Sequence, residues 1–170
     1  MRKSILFILL MLAVSAANAQ KYALIDMEYI LEKIPAYARA NEQLDELSQK
    51  WRNEIETASQ EAQRIYKEYQ AQYASLTDGQ RTKKEEEVIT KEKGASELKR
   101  KYFGPEGELA KRRQAAMQPI QDDIYKAVKG VAEQKGYSTV IDRASATSII
   151  YASPHIDISN EILSRLGYSD

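Results

Sequence analysis

The sequence predicts a mainly α protein with a small β body, in which a long antiparallel helical hairpin arm projects from a short-stranded oligomerisation sheet. Three observations carry this expectation. Apolar and aromatic residues recur every three or four positions from Leu44 to Leu76, and a second helical pattern returns from Val88 to Val131 in steps of three, four or seven, each consistent with one stripe along an α-helix. Between the two runs stands Thr77-Asp78-Gly79-Gln80, the strongest reversal signal in mid-chain, because Asp and Gly tolerate the dihedrals a turn needs. After Gly136 the chain changes to Val, Ile, Thr and Tyr in short runs, the signature of strands.

At the start of the chain, Arg2 and Lys3 precede an apolar run from Ile5 to Val14 and the small-residue motif Ala17-Asn18-Ala19. This is the pattern of a secretory signal peptide over residues 1–19, cut between Ala19 and Gln20. The alternative is an uncleaved anchor, but about ten apolar residues fall short of the roughly 20 that span a bilayer. Position 20 is not cysteine, so no thiol is placed to carry a lipid. A soluble, exported protein is expected.

The mature chain opens with a short apolar run, residues 22–25, followed by Asp26, which can cap a helical turn carrying Met27, Ile30, Leu31 and Ile34. Pro35 interrupts that turn. A helix over residues 38–76 would be about 60 Å long at 1.5 Å per residue. The return helix carries its stripe through Ala95, Leu98, Tyr102, Leu109, Ile120 and Ile124, and ends near Gly136, a candidate left-handed cap. Two such narrow stripes cover each other in an antiparallel pair.

The return run contains Gly104-Pro105-Glu106-Gly107 and, further on, Pro119. Proline inside a helix removes a hydrogen bond and clashes with the preceding turn, at about 3 kcal/mol or more, so a kink or break is expected at both places. Two readings of the first stand open: a bendable arm, or a separator between independent helices.

Residues 138–142 and 148–152 read as two strands of a hairpin with a five-residue loop. Ser159 is expected to cap a last short helix over residues 160–166, closed by Gly167. The strand at residues 22–25 can join these two in a small mixed sheet. The body would then comprise residues 20–37 and 132–170, and the arm residues 38–131. So few short strands bury little surface and leave edges open to further pairing, which points to self-association. Ile25, Val140, Ile149, Ile150 and Tyr151 are the candidate shared core; the alternative is that they pack on the last helix within one subunit.

Composition excludes several function classes. Without the leader's Arg2 and Lys3, 23 basic residues face 25 acidic ones, a balance that gives no global attraction to nucleic acid. Cysteine is absent and His155 is the only histidine. A disulfide framework, thiolate chemistry and a multi-histidine metal site therefore fall away. No glycine-rich phosphate loop is present, and Glu85-Glu86-Glu87 reads as a solvated helix face. No enzyme activity, cofactor or metal is expected.

Two features of the arms remain. Residues 91–113 hold eight Lys or Arg against four Glu, either a solvated basic face or one able to touch anionic lipid weakly. Tyr66, Tyr69, Tyr73 and Leu76 on the outgoing helix, with Tyr102 and Phe103 on the return, are candidate client contacts, because tyrosine offers apolar area with a polar edge. The competing reading places Tyr69 and Tyr73 in the interhelical seam.

The order of leader, KYALIDMEYIL, charged helical hairpin and GYSTVIDRASATSIIYASPHIDISNEILSRLG resembles the Skp/OmpH family of periplasmic chaperones. The resemblance covers essentially the whole mature chain, and its most specific part is a VIDRAS-like strand followed by the I-Y-A-x-P-x-x-D-I-S pattern. It implies a homotrimer whose strands form a common β body and whose three arms enclose a cavity. It also implies an ATP-independent holdase that keeps unfolded outer-membrane proteins from aggregating in the periplasm. The near-neutral charge and the Gly104-Pro105-Glu106-Gly107 interruption depart from that family's pattern. The rival expectation is a structural coiled-coil subunit of a cell-envelope complex.

Overall fold

The computed structural model describes residues 21–168. The expected leader, with its cleavage point at Ala19 and Gln20, lies outside the described residues. The described chain divides into two compact units, one built from the segments up to Lys33 and from Asp123 onward, the other from Ile34–Asp122.

The first unit is organised on strand β1 (Lys21–Ile25), which pairs in parallel with β2 (Tyr137–Asp142). Ala23 stands opposite Val140 and Ile25 opposite Asp142. Ala23, Leu24 and Ile25 are all buried in succession; a strand covered on both faces needs such a continuous apolar run rather than alternation. Asp26 caps helix α1 (Met27–Glu32) as the sequence predicts, its Oδ1 accepting the Tyr29 N–H at 2.9 Å. Ile30, Ile124, Val131 and Ile162 are the largest fully buried side chains among the described residues.

The expected β-hairpin does not form. Residues 143–153 run as turns and irregular chain, and the next contact with β1 is a parallel bridge from Leu24 to Asp157. The reason is directional. A tight hairpin loop would deliver an antiparallel strand, whereas a second parallel partner for β1 requires a crossover of about a dozen residues, and residues 143–156 supply it. Asp142 starts that departure, its Oδ1 accepting the N–H groups of Met27 and Ala144, both at 3.1 Å.

Helix α5 (Ser159–Leu166) closes the unit, and Gly167, at φ 85°, ends it as expected; Gly136 likewise adopts a left-handed φ of 70°. Ser159 is not the cap the sequence suggests, a role its neighbour Ile158 takes. Its hydroxyl instead accepts the Asp26 N–H at 2.8 Å and donates to Asp157 Oδ1 at 2.6 Å. Arg143 bridges the same two aspartates, at 3.0 Å from Asp26 and 3.4 Å from Asp157. One polar knot thus ties β1, the end of β2 and the start of α5.

In the second unit, helix α2 (Pro35–Gln72) begins at Pro35 itself. The first helical position wastes no hydrogen bond on a residue without an N–H, so the proline that interrupts α1 also starts α2. A 3₁₀ turn, Tyr73–Ser75, follows, and Thr77 caps α3 (Asp78–Phe103), its own N–H held by Gln80 Oε1 at 2.9 Å. The reversal falls just ahead of the stretch the sequence singles out: the chain turns through residues 73–77, while Asp78, Gly79 and Gln80 already form the first turn of α3, where Gln80 serves the cap rather than a turn. The buried residues of α3 are Val88, Ala95 and Tyr102, one every seven positions, the spacing of a two-helix seam. Ile65, Tyr69 and Val88 pack together across it, with Leu76 against them.

Gly104 and Gly107 bound a full break, after which α4 (Glu108–Lys135) runs on through Pro119 without ending there.

Burial raises the Asp142 carboxyl, but hydrogen bonds from Ser145 and from the backbone of Met27, Ala144 and Ser145 outweigh it and hold it below the ordinary carboxylate range. A depressed folded value means stabilisation that is complete above the unfolded value and lost as pH falls through the folded one. Chemical denaturation of Asp142→Asn at a series of pH values should therefore show reduced stability at pH 7 and a flatter decline than wild type between about pH 5 and pH 2.

Candidate functional site

The arm surface within Ile34–Asp122 carries the candidate contacts, and its geometry follows from how α2 and α3 are pinned. Two tyrosines cross the seam in opposite directions. Tyr69 on α2 donates its hydroxyl to Glu85 on α3 at 2.5 Å, and Tyr102 on α3 donates to Glu54 on α2 at 3.0 Å. Hydrogen bonding to the Glu85 carboxylate, then burial, pushes the Tyr69 hydroxyl up to about 12. Burial, then Glu54, pushes Tyr102 up as well. Both phenols therefore remain donors at any physiological pH. The acidic run is only in part a solvated face, since Glu85 spans the seam while Glu87 pairs with Lys84 at 2.9 Å.

Six residues nominated from the sequence for client contact thus occupy different environments. Tyr69 and Tyr102 are buried in the seam, and Leu76 and Phe103 are partly covered. Tyr66 and Tyr73 are exposed. The Tyr73 ring meets the edge of Tyr69 at 5.6 Å and lies beneath Arg81 at 4.6 Å, so part of its surface is already occupied. The Arg81 Nε is buried without a hydrogen-bond acceptor, while its Nη1 lies 3.5 Å from Asp78 Oδ1, so the charge is shared between the ring and that carboxylate.

Farther along the seam, Trp51 stacks on Tyr102 with centroids 4.8 Å apart and planes 5° from parallel, and meets Phe103 edge-on at 6.4 Å. Arg112 on α4 stands 5.9 Å from the Trp51 ring and Arg52 stands 6.0 Å from the Phe103 ring. This cluster was legible only as stripe membership. Counting outward equally from the reversal at residues 77–80 would have placed Trp51 opposite the Gly104–Gly107 break.

An open groove of about 840 Å³ lies between α2, α3 and the start of α4. Ala58, Ala95 and Leu98 give it apolar surface, and charges of both signs, among them Lys91, Glu97 and Lys111, line it as well. A smaller cavity of about 360 Å³ in the other unit is lined by Tyr29, Arg143, Asp157 and Asn160. Its polar groups are engaged with one another, Tyr29 donating to Asn160 at 2.9 Å and Arg143 pairing with Asp157. Among the described residues no cluster of three or more His, Cys, Asp or Glu could hold a metal, and no helix is long and apolar enough to cross a membrane.

The nominated body residues are distributed likewise. Ile25 is buried, Val140 and Ile149 are partly covered, and Ile150 and Tyr151 stand exposed at 101% and 83% on the crossover loop.

The family model for OmpH-like outer membrane proteins matches residues 21–166. The chain belongs to the OmpH-like family. Its relatives include proteins named chaperone protein Skp: that of Yersinia enterocolitica is 28% identical, covering 92% of this chain and 93% of the relative. That of Photorhabdus laumondii is 25% identical over 94% and 93%. A crystal structure from Caulobacter crescentus, assigned as an OmpH-like outer membrane chaperone, shares the fold with a TM-score of 0.68 at 12% identity, over 86% of this chain and 83% of that one. Membership of the OmpH-like family agrees with the resemblance read from the strand and loop motifs after Gly136.

Two neighbouring positions separate seam from surface. Ile65→Ala should cost about 2–5 kcal/mol in chemical denaturation, as for a buried aliphatic side chain. Tyr66→Ser, one residue on and facing out, should stay within about 0.5 kcal/mol of wild type.

Proposed function

We propose that the protein is an ATP-independent holdase of the periplasm, reached through cleavage of its leader after Ala19, that keeps unfolded outer-membrane proteins from aggregating on their way to the outer membrane. The observation that carries this reading is the match to chaperone proteins named Skp over more than nine-tenths of the chain. The arm chemistry supports it. A holdase acts by binding the unfolded state, and needs many weak, adaptable contacts rather than an enclosed pocket. Tyr66 and Tyr73 supply exposed rings on the outgoing helix, and the open groove beside α3 supplies mixed apolar and charged surface.

The body is proposed to form a homotrimer. Ile25, Val140, Ile149 and Tyr151 are its proposed core, and the exposure of Ile150 and Tyr151 supports a covering partner, because large apolar side chains grouped on one loop are unfavourable in water. Basic residues 91–113 would add at most weak contact with an anionic membrane surface. The partner class is an unfolded β-barrel chain, with no nucleic acid.

Light scattering of a porin diluted from denaturant tests the reading: scattering should fall sharply at one trimer per client, and unchanged scattering would sink it. Tyr66→Ser with Tyr73→Ser should weaken that suppression several-fold, with only a small drop in the unfolding midpoint from the lost contacts of Tyr73 with Tyr69 and Arg81. For assembly, sedimentation of Val140→Asp should show dissociated subunits with helical circular dichroism largely retained. A stable trimer would remove Val140 from the proposed core.

A further inference from the structure

The arm contains one interruption whose geometry is specified atom by atom, and one side chain reaches both sides of it. Helix α3 ends with the Gly104 N–H bonded to the Arg100 carbonyl at 2.9 Å, and a single turn follows, closed by the Gly107 N–H on the Gly104 carbonyl at 2.9 Å. Gly104 is extended at ψ 167°, the conformation a following proline imposes, and Pro105 fits the second position of such a turn. Glycine is required at both ends. A Cβ on Gly107 would lie 2.8 Å from the Tyr102 carbonyl oxygen and 2.9 Å from the Gly104 nitrogen, and one on Gly104 would collide with the Arg100 carbonyl oxygen. The helix is thus cut cleanly, with one backbone hydrogen bond spanning the cut.

Across from it, α2 is continuous, and Trp51 projects from it onto the joint. Its ring stacks on Tyr102 and touches Phe103 at the end of α3, while Arg112 from the second turn of α4 lies over it. Glu54, one turn along α2, holds the Tyr102 hydroxyl on the same side. The groove of about 840 Å³ is bordered by the joint too, through Glu106, Gly107 and Lys111.

We propose that the turn at residues 104–107 is a latched joint and that Trp51 is its latch: stacked on Tyr102 and covered by Arg112, it holds the first turns of α4 against α2, and on unstacking it frees them and widens the adjoining groove. Trp51 is a positioning residue in this device. The holdase reading supplies its use, accommodation of clients of different girth, but the device is defined by the arm alone and its test needs no client.

The full chain would be compared with Trp51→Ala, Trp51→Phe and Arg112→Ala by amide hydrogen exchange and mass spectrometry. In Trp51→Ala, exchange across residues 103–112 should rise at least tenfold, while the seam around Ile65 and Val88 keeps its protection. Trp51→Phe should restore most of the loss, because a ring can still stack. Arg112→Ala should raise exchange across residues 107–112 while leaving residues 100–103 protected. Unchanged protection at the joint in Trp51→Ala would overturn the proposal. If that variant instead loses protection along the whole arm, Arg112→Ala decides: a local rise supports the latch, and none rejects it. As the sole tryptophan in the chain, Trp51 also reports the wild-type state, and emission already typical of a solvated indole would contradict a closed latch.

Discussion

Everything else in this chain is arranged around the parallel pairing of β1 with β2. Parallel neighbours cannot be joined by a tight turn, so a connection must return the chain to the starting end of the sheet. Here that connection is residues 26–136, most of the described protein. Within it, helices α2 and α3 run antiparallel on either side of the reversal before Asp78, and each covers the other's narrow apolar stripe. The same requirement recurs on a smaller scale after β2. The bridge from Leu24 to Asp157 is again parallel, and the crossover loop that serves it is where Ile150 and Tyr151 are left in solvent.

Within the arm, polar side chains set the register that apolar packing alone leaves loose. A seam with one buried residue in seven on α3 repeats along the pair, so its spacing by itself specifies the register only weakly. The bonds from Tyr69 to Glu85 and from Tyr102 to Glu54 fix it, because a slipped register would leave each phenol covered without its acceptor. With the two pins pointing in opposite directions, Trp51 is brought onto Tyr102 and the glycine turn rather than onto the helix on either side.

Local signals and long-range ones were unequally legible in the sequence. Asp26, the break at Gly104 and the caps at Gly136 and Gly167 act within a few residues of themselves, and the structure places each where its chemistry predicts; the reversal comes a few residues early, because Asp78 and Gly79 open α3 instead of making the turn. The strand expected at residues 148–152 failed because β-branched composition says that a segment is fit for a sheet, not which direction the neighbour runs. Ser159 departs from its local capping signal for a similar reason. Its hydroxyl is committed to Asp26 and Asp157, and a partner 133 positions away in the chain leaves no local trace. Among the arm tyrosines, position on the stripe could not tell a ring in the seam from one facing out.

The two pairing strands of the sheet are also the first and nearly the last segments of the described chain to be made. Contacts of such separation close late, because the loop between them must be ordered first. The arm, whose contacts are mostly local or follow from one reversal, has no such delay. As the chain is made, then, the helical hairpin can assemble while β1 waits for Asp142 to arrive, with Ala23, Leu24 and Ile25 uncovered in the meantime. A protein of this topology passes through a stage in which it carries an unmated strand of its own, and completes itself only when its C-terminal segment has been delivered.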